Sequence, residues 1–94
     1  MRQPKKKSGR GKQANPHAVD VHVGERIREL RYLREMTQME LAKQVGVRFQ
    51  QVQKYETGFN RVSASRLYMI AEALDVEVVD LFGDELTQRL EGKV

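Results

Sequence analysis

The chain has 94 residues, no cysteine and a formal net charge of +4. That length suits one small domain with a thin core, and the missing cysteine removes disulfides, thiolate nucleophiles and Cys-based zinc sites. No apolar run approaches the roughly 18 residues of a membrane-spanning helix, and the basic N-terminus lacks the apolar stretch of a secretory signal.

The net charge hides an asymmetry. Residues 1–12 hold six basic side chains (Arg2, Lys5, Lys6, Lys7, Arg10, Lys12) and no acid. Removing those six from the 17 basic residues leaves eleven against 13 acidic ones, a body of net charge −2. The positive charge sits in an arm, while Asp75, Glu77, Asp80, Asp84 and Glu85 make the C-terminal part acidic. Such a molecule presents one end to a polyanion. Residues 1–19 are rich in Pro, Gly, Ser and Lys and have little to bury, so a disordered arm is expected there. It is either a solubilising tail or a contact to phosphates or a minor groove.

Asp20 is the expected N-cap of a first helix running to about Glu35. Val23, Ile27 and Leu30 recur at i, i+4 and i+7 and give it one apolar stripe. Gly24 is tolerated near its start either because the first turn is least cooperative or because another backbone approaches. His17 and His22 are too few for a metal site and are read as structural or idle. A second helix opens at Thr37, where Glu40 three residues on completes a capping box. Leu41, Ala42 and Val45 face its core, and Gly46 ends it in the left-handed conformation. A third helix spans about Arg48–Glu56, with Val52 inward and Gly58 closing it. Ser63 caps a fourth helix to Leu74, whose inner face is Leu67, Ile70, Ala71 and Leu74. Val78, Leu81 and Phe82 suggest a short fifth helix. Residues 84–94 form an extension that can add a turn or two, with Leu86 and Leu90 on one side. No stretch alternates at period two for long enough to make a strand, so the fold is expected to be all-α.

Gln50, Gln51, Gln53 and Lys54 crowd the exposed side of the third helix. Amides in a row are poor catalysts but good readers of hydrogen-bond edges, and glutamine can bond bidentately to adenine in the DNA major groove. Together with Thr37-Gln38-x-Glu40-Leu41-Ala42, Val45-Gly46-Val47, Val52, Tyr55-Glu56 and Gly58, these residues resemble the helix-turn-helix of the Xre family, which includes Cro and the phage repressors. The resemblance continues through Leu67-x-x-Ile70-Ala71-x-x-Leu74-x-Val76 to Leu81-Phe82 and covers roughly residues 20–83. The stretch at 48–56, with its NPHAVDVHVG lead-in, is similar to short alphaproteobacterial regulators, which often carry threonine where Arg48 stands.

The resemblance implies a compact five-helix lambda-repressor-like domain over residues 20–83, binding double-stranded DNA through helix 48–56. By family position Phe49, Gln50 and Lys54 match the main base-reading sites. Phe49 either packs on a thymine methyl or is a buried staple, and Gln51 and Gln53 either join the readout or are solvated surface. Gln38 matches one phosphate clamp, and Asn60 with Arg61 matches a second. Arg48 replaces the usual Ser or Thr cap, and an arginine there gains most by reaching a phosphate or a guanine. Arg31 and Glu56 match a structural ion pair between the first and third helices. A sequence-specific cytoplasmic regulator, working as a homodimer on an inverted repeat, is the resulting expectation. Leu81, Phe82, Leu86 and Leu90 are either its pairing surface or the end of the monomer core. No cofactor, metal, membrane or small-molecule ligand is implied. The alternative is a protein-interaction module, such as an antitoxin or bridging coactivator, docking through acidic residues 75–91. An enzyme is disfavoured, because no paired acids, phosphate loop or substrate cavity can be placed beside so small a core.

Overall fold

The computed structural model describes residues 18–83, and within them the chain forms four α-helices and one short 3-10 turn. The basic arm as far as residue 17, His17 and the extension 84–94 with Leu86 and Leu90 lie outside the described residues. Helix α1 spans Ala18–Leu33, α2 Gln38–Val45, α3 Phe49–Thr57 and α4 Ala64–Leu74, and the 3-10 turn is Val78–Leu81.

The expected apolar stripes converge on one core. Val23, Ile27 and Leu30 of α1 meet Leu41, Ala42 and Val45 of α2, Val52 of α3, and Ile70, Ala71 and Leu74 of α4. Tyr55 joins them from α3, and Leu81 from the 3-10 turn closes the base. Leu81 is fully buried and finishes the monomer core, and Phe82 packs partly buried against the cluster.

Local signals act as their chemistry requires. Thr37 accepts from the Glu40 amide at 3.0 Å while the Glu40 carboxylate accepts from the Thr37 amide at 2.8 Å, closing the capping box. Gly46 takes φ 80° and lets α2 stop within one residue of the turn into α3. Ser63 caps α4 by accepting from the Arg66 amide.

Several sequence expectations need correcting. Asp20 is not a cap: α1 already includes Ala18 and Val19, residues assigned to the arm, and Asp20 sits in its first turn. Its carboxylate instead accepts from Arg61 Nε at 3.2 Å, in the loop after α3. Helix α1 also ends earlier than Glu35. Glu35 adopts φ 54°, and the Met36 amide turns back to the Arg31 carbonyl at 3.0 Å. The fifth helix is a single 3-10 turn. The segment is held by i→i+3 bonds, from the Asp80 amide to the Glu77 carbonyl and from the Phe82 amide to the Val79 carbonyl, and by Asp80, whose carboxylate accepts from the Glu77 amide at 2.9 Å.

Long-range bonds from arginine and histidine side chains secure the helix ends. Arg34 donates to the carbonyls of Leu74 and Asp75 at 2.7 and 3.1 Å, where the C-terminal dipole of α4 favours a cation. Arg66 donates to the Val45 carbonyl at the end of α2. On α1, His22 bonds the Phe82 carbonyl and Arg26 donates to the Asp80 carbonyl at 3.0 Å, strapping the 3-10 turn down.

One polar pair lies inside this shell. Arg31 Nε and one terminal nitrogen donate to the two oxygens of Glu56 at 2.6 and 3.0 Å, while its other terminal nitrogen donates to the Met36 carbonyl at 2.9 Å. Both residues are 6% exposed. The hydrogen bond to Glu56 holds the Arg31 guanidinium above its already high ordinary value. Its stabilising charge is therefore full below that ordinary value and is lost only as pH rises through the raised one. Nothing near neutrality loosens the pair from the arginine side.

The close approach of α1 to α3 explains Gly24. A Cβ built there would stand 2.2 Å from the Tyr55 carbonyl oxygen, so backbone contact, not fraying of the first turn, is the reason for glycine. Gly24→Ala is predicted to destabilise by about 1–3 kcal/mol in denaturant melts, the cost of overpacking, although the same change in an open helix gains up to about 1 kcal/mol. A neutral or stabilising effect would mean the two helices sit farther apart. Arg31→Ala, which strands a buried carboxylate, is predicted to cost about 3–5 kcal/mol. A loss below about 0.5 kcal/mol in the same assay would show that the pair is not desolvated.

Candidate nucleic-acid interface

Helix α3 advances about 100° per residue, so its buried residues Val52, Tyr55 and Glu56 define an inward side. Gln50 falls nearly opposite them, with Lys54 on one flank and Gln53 on the other. All three are exposed. Arg48, Gln50, Gln51 and Lys54 share one outward surface, whereas Gln53 and Gln38 line a neighbouring groove.

Gln50 occupies the centre of that surface. Phe49 precedes it in the first turn and is 38% exposed, so part of its ring is open to a partner. Arg48 holds the N-cap position in an extended conformation and makes no side-chain capping bond, leaving its guanidinium exposed at the head of the helix. Gln51 lies to one side, half-buried, with its Oε1 accepting from Asn60 Nδ2 at 3.4 Å. Gln53 faces the other way. It lines a groove with Arg28, Tyr32, Gln38 and Glu56, apart from the surface that Arg48, Gln50, Gln51 and Lys54 share with Arg66. In that groove the Arg28 and Arg31 guanidinium carbons lie 5.5 and 4.8 Å from the centroid of the Tyr32 ring, and the Arg28 hydrogen bond lowers the Tyr32 phenol below its usual range.

The two expected phosphate clamps have other partners in the free chain. Gln38 Nε2 donates to Glu56 Oε1 at 3.0 Å, which spends one of its two amide hydrogens on the buried pair. Its backbone amide remains at the N-terminus of α2, where the helix dipole favours an anion. Arg61 is paired to Asp20 through Nε, yet its side chain is 75% exposed, so the rest of the guanidinium fork is open to solvent. Asn60 donates its backbone amide to the Lys54 carbonyl at 3.2 Å, folding the loop back onto α3.

One residue beside this surface escaped the sequence reading. Phe59, in the loop after α3, is 68% exposed, and the Lys54 ammonium lies 5.8 Å from the centroid of its ring. The available signal was a large aromatic between Gly58 and Asn60, five positions beyond a lysine on the outward face.

Chemically, the surface offers amides, cations and an apolar ring on a helix whose back is locked. Nothing in that set activates a nucleophile or moves a proton. It can donate and accept hydrogen bonds toward flat polar edges and attract anionic oxygens.

Comparison with known proteins agrees with this chemistry. A helix-turn-helix family model, HTH_3, matches residues 27–81. The chain is 53% identical over 73 residues to an HTH-type transcriptional regulator of Sinorhizobium fredii, covering 78% of this chain and 51% of that protein. It is 54% identical over 68 residues to a transcriptional regulator in the ATPase CF(0) region of Rhodospirillum rubrum, covering 72% of this chain and 63% of that one. The chain therefore spans about half to three-fifths of the length of these relatives. Among solved structures, the restriction-modification controller protein C.AhdI of Aeromonas hydrophila superposes with a TM-score of 0.67 at 35% identity, over 69% of this chain and 98% of its own.

Proposed function

The chain belongs to the HTH_3 helix-turn-helix family, and on that premise we propose that it is a sequence-specific DNA-binding transcriptional regulator that reads an inverted-repeat operator as a homodimer. Helix α3 enters the major groove. Gln50 is the principal reader, Phe49 packs on a thymine methyl and Lys54 addresses a base acceptor. Gln38 and Arg61 set the register on the phosphates, with Arg48 reaching a phosphate or guanine at the head of α3 and Asn60 holding the second clamp loop. Gln51 flanks the readout and adds a polar contact at its margin, while Gln53 lines the neighbouring groove beside Gln38. The protein works where bacterial DNA is, in the cytoplasm.

The observation that carries this proposal is the division of α3 into two faces. One is immobilised by Val52, Tyr55 and the Arg31–Glu56 pair, and the other carries exposed amides and a lysine. A helix held this way presents its outward side chains from a fixed frame, as base readout requires. The homodimer rests on arithmetic. One such domain addresses too few base pairs to be specific in a genome, and two-fold pairing doubles the site, with half-sites about 34 Å apart. The basic arm adds contacts that hold DNA without reading it.

Binding to randomised duplexes over a range of salt concentrations tests the proposal. The wild-type chain is expected to enrich a two-fold symmetric motif and to lose affinity steeply as salt rises. Gln50→Ala is predicted to reduce discrimination at one base pair per half-site by about 1–3 kcal/mol while non-specific affinity persists. Removing residues 1–12 should weaken binding to every sequence and flatten the salt slope. A salt slope near zero with no enriched motif would instead favour a protein-docking role.

A further inference from the structure

The loop that follows the recognition helix is built against it from several directions. The Gly58 amide donates to the Tyr55 carbonyl at 3.1 Å, the Asn60 amide to the Lys54 carbonyl at 3.2 Å, and Thr57 Oγ1 to the same carbonyl at 3.3 Å. Asn60 also reaches Gln51 through its side chain. Gly58 sits at φ 79°, and a Cβ there would lie 2.7 Å from Val21 of α1, so the loop is pinned between two helices. Phe59 is carried by this fixed frame and yet contributes little to the core, being 68% exposed. What sets this ring apart from the other exposed apolar side chains is its place on a rigid loop beside α3, with the ammonium of the outward-facing Lys54 5.8 Å from its centroid.

We infer that Phe59 is a positioning residue for base readout: its ring holds the Lys54 ammonium at the C-terminal end of the outward face of α3, so that discrimination by Lys54 depends on the ring. This rests on the proposal that α3 reads DNA. The physical ground is the attraction of an ammonium to the negative face of an aromatic ring within about 6 Å. A free lysine samples many rotamers along its four-carbon stem and must surrender them on binding. One already drawn toward a fixed ring surrenders fewer. An ammonium only donates, so the base edge it addresses carries acceptors, as the O6 and N7 of guanine do. Phe59 thereby contributes to specificity without itself reading a base.

Selection from randomised duplexes with the full chain tests this, comparing wild type with Lys54→Ala, Phe59→Ala, Phe59→Leu, Phe59→Tyr and the Lys54→Ala/Phe59→Ala double variant. Lys54→Ala identifies the base pair that Lys54 discriminates. Phe59→Ala and Phe59→Leu are expected to relax that same base pair by about two- to fivefold, the effect of one exposed cation–π contact. Other positions and the melting temperature should hold. Phe59→Tyr should restore the preference, and Phe59→Ala should have no further effect once Lys54 is alanine. Loss of affinity at every base pair, or equal loss in the Lys54→Ala background, would show that the ring contacts DNA itself and would overturn the inference. So would unchanged discrimination in Phe59→Ala, or the absence of any base pair sensitive to Lys54→Ala, while a motif sensitive to Gln50→Ala would leave the DNA-reading proposal standing. A wild-type chain that enriches no motif would remove both.

Discussion

The bidentate contact between Arg31 and Glu56 is the constraint on which the rest of the structure depends. It joins α1 to α3, and through Gln38 and the Met36 carbonyl it also takes in the start of α2. Burying two charges is expensive, and the cost is offset only when the geometry is good and the remaining donors and acceptors are occupied. Here both carboxylate oxygens accept from the arginine, one also accepts from an amide, and all three guanidinium nitrogens donate. An apolar pair of equal volume could fill the same space, but it would not fix the rotation of α3 about its own axis. The fork geometry does, and that rotation decides which side chains of α3 face outward.

Around this pair the helices are brought closer than ordinary side chains allow. Gly24 admits the carbonyls of Tyr55 and Glu56 against α1, and Gly58 admits Val21. The core itself is thin, so helix termini carry more than their usual share of the stability. Arg34 and Arg66 each close the C-terminal end of a neighbouring helix, and His22 and Arg26 hold the 3-10 turn. The chain uses its basic residues twice over. Arg26, Arg34 and Arg66 satisfy carbonyls, while Arg48, Lys54 and Arg61 stay exposed on or beside α3.

What could be read from the sequence was whatever depends on neighbours within a turn or two. The stripes Val23–Ile27–Leu30 and Ile70–Ala71–Leu74, the Thr37–Glu40 box and the Gly46 turn all follow from local spacing. The Arg31–Glu56 contact is implied by family likeness and not by spacing, since 25 residues separate the partners. Asp20 resembles a cap because a carboxylate stands before an apolar stripe, whereas its partner Arg61 lies 41 residues away. The roles of Arg34, Arg66 and His22 are hidden for the same reason. The short segment at Val78–Leu81 carries helical composition, but nothing in its pattern separates one turn of 3-10 from one turn of α. Phe59 is not legible in the sequence, because a lone exposed aromatic in a loop has no periodic signature.

Under the proposed function, α3 separates holding from reading. The inward side of α3 is committed to the ion pair and core, so its outward residues can change without cost to the fold. That separation is the central claim, and it is tested most directly by replacing Phe49, Gln50 and Lys54 together with alanine, serine and serine. The duplex motif selected by the variant and its melting temperature are then measured against the wild type. The account predicts a melting temperature close to that of the wild type and a selected motif altered only at the base pairs beneath α3. An unchanged motif would contradict it, because the reading surface would then lie elsewhere on the molecule.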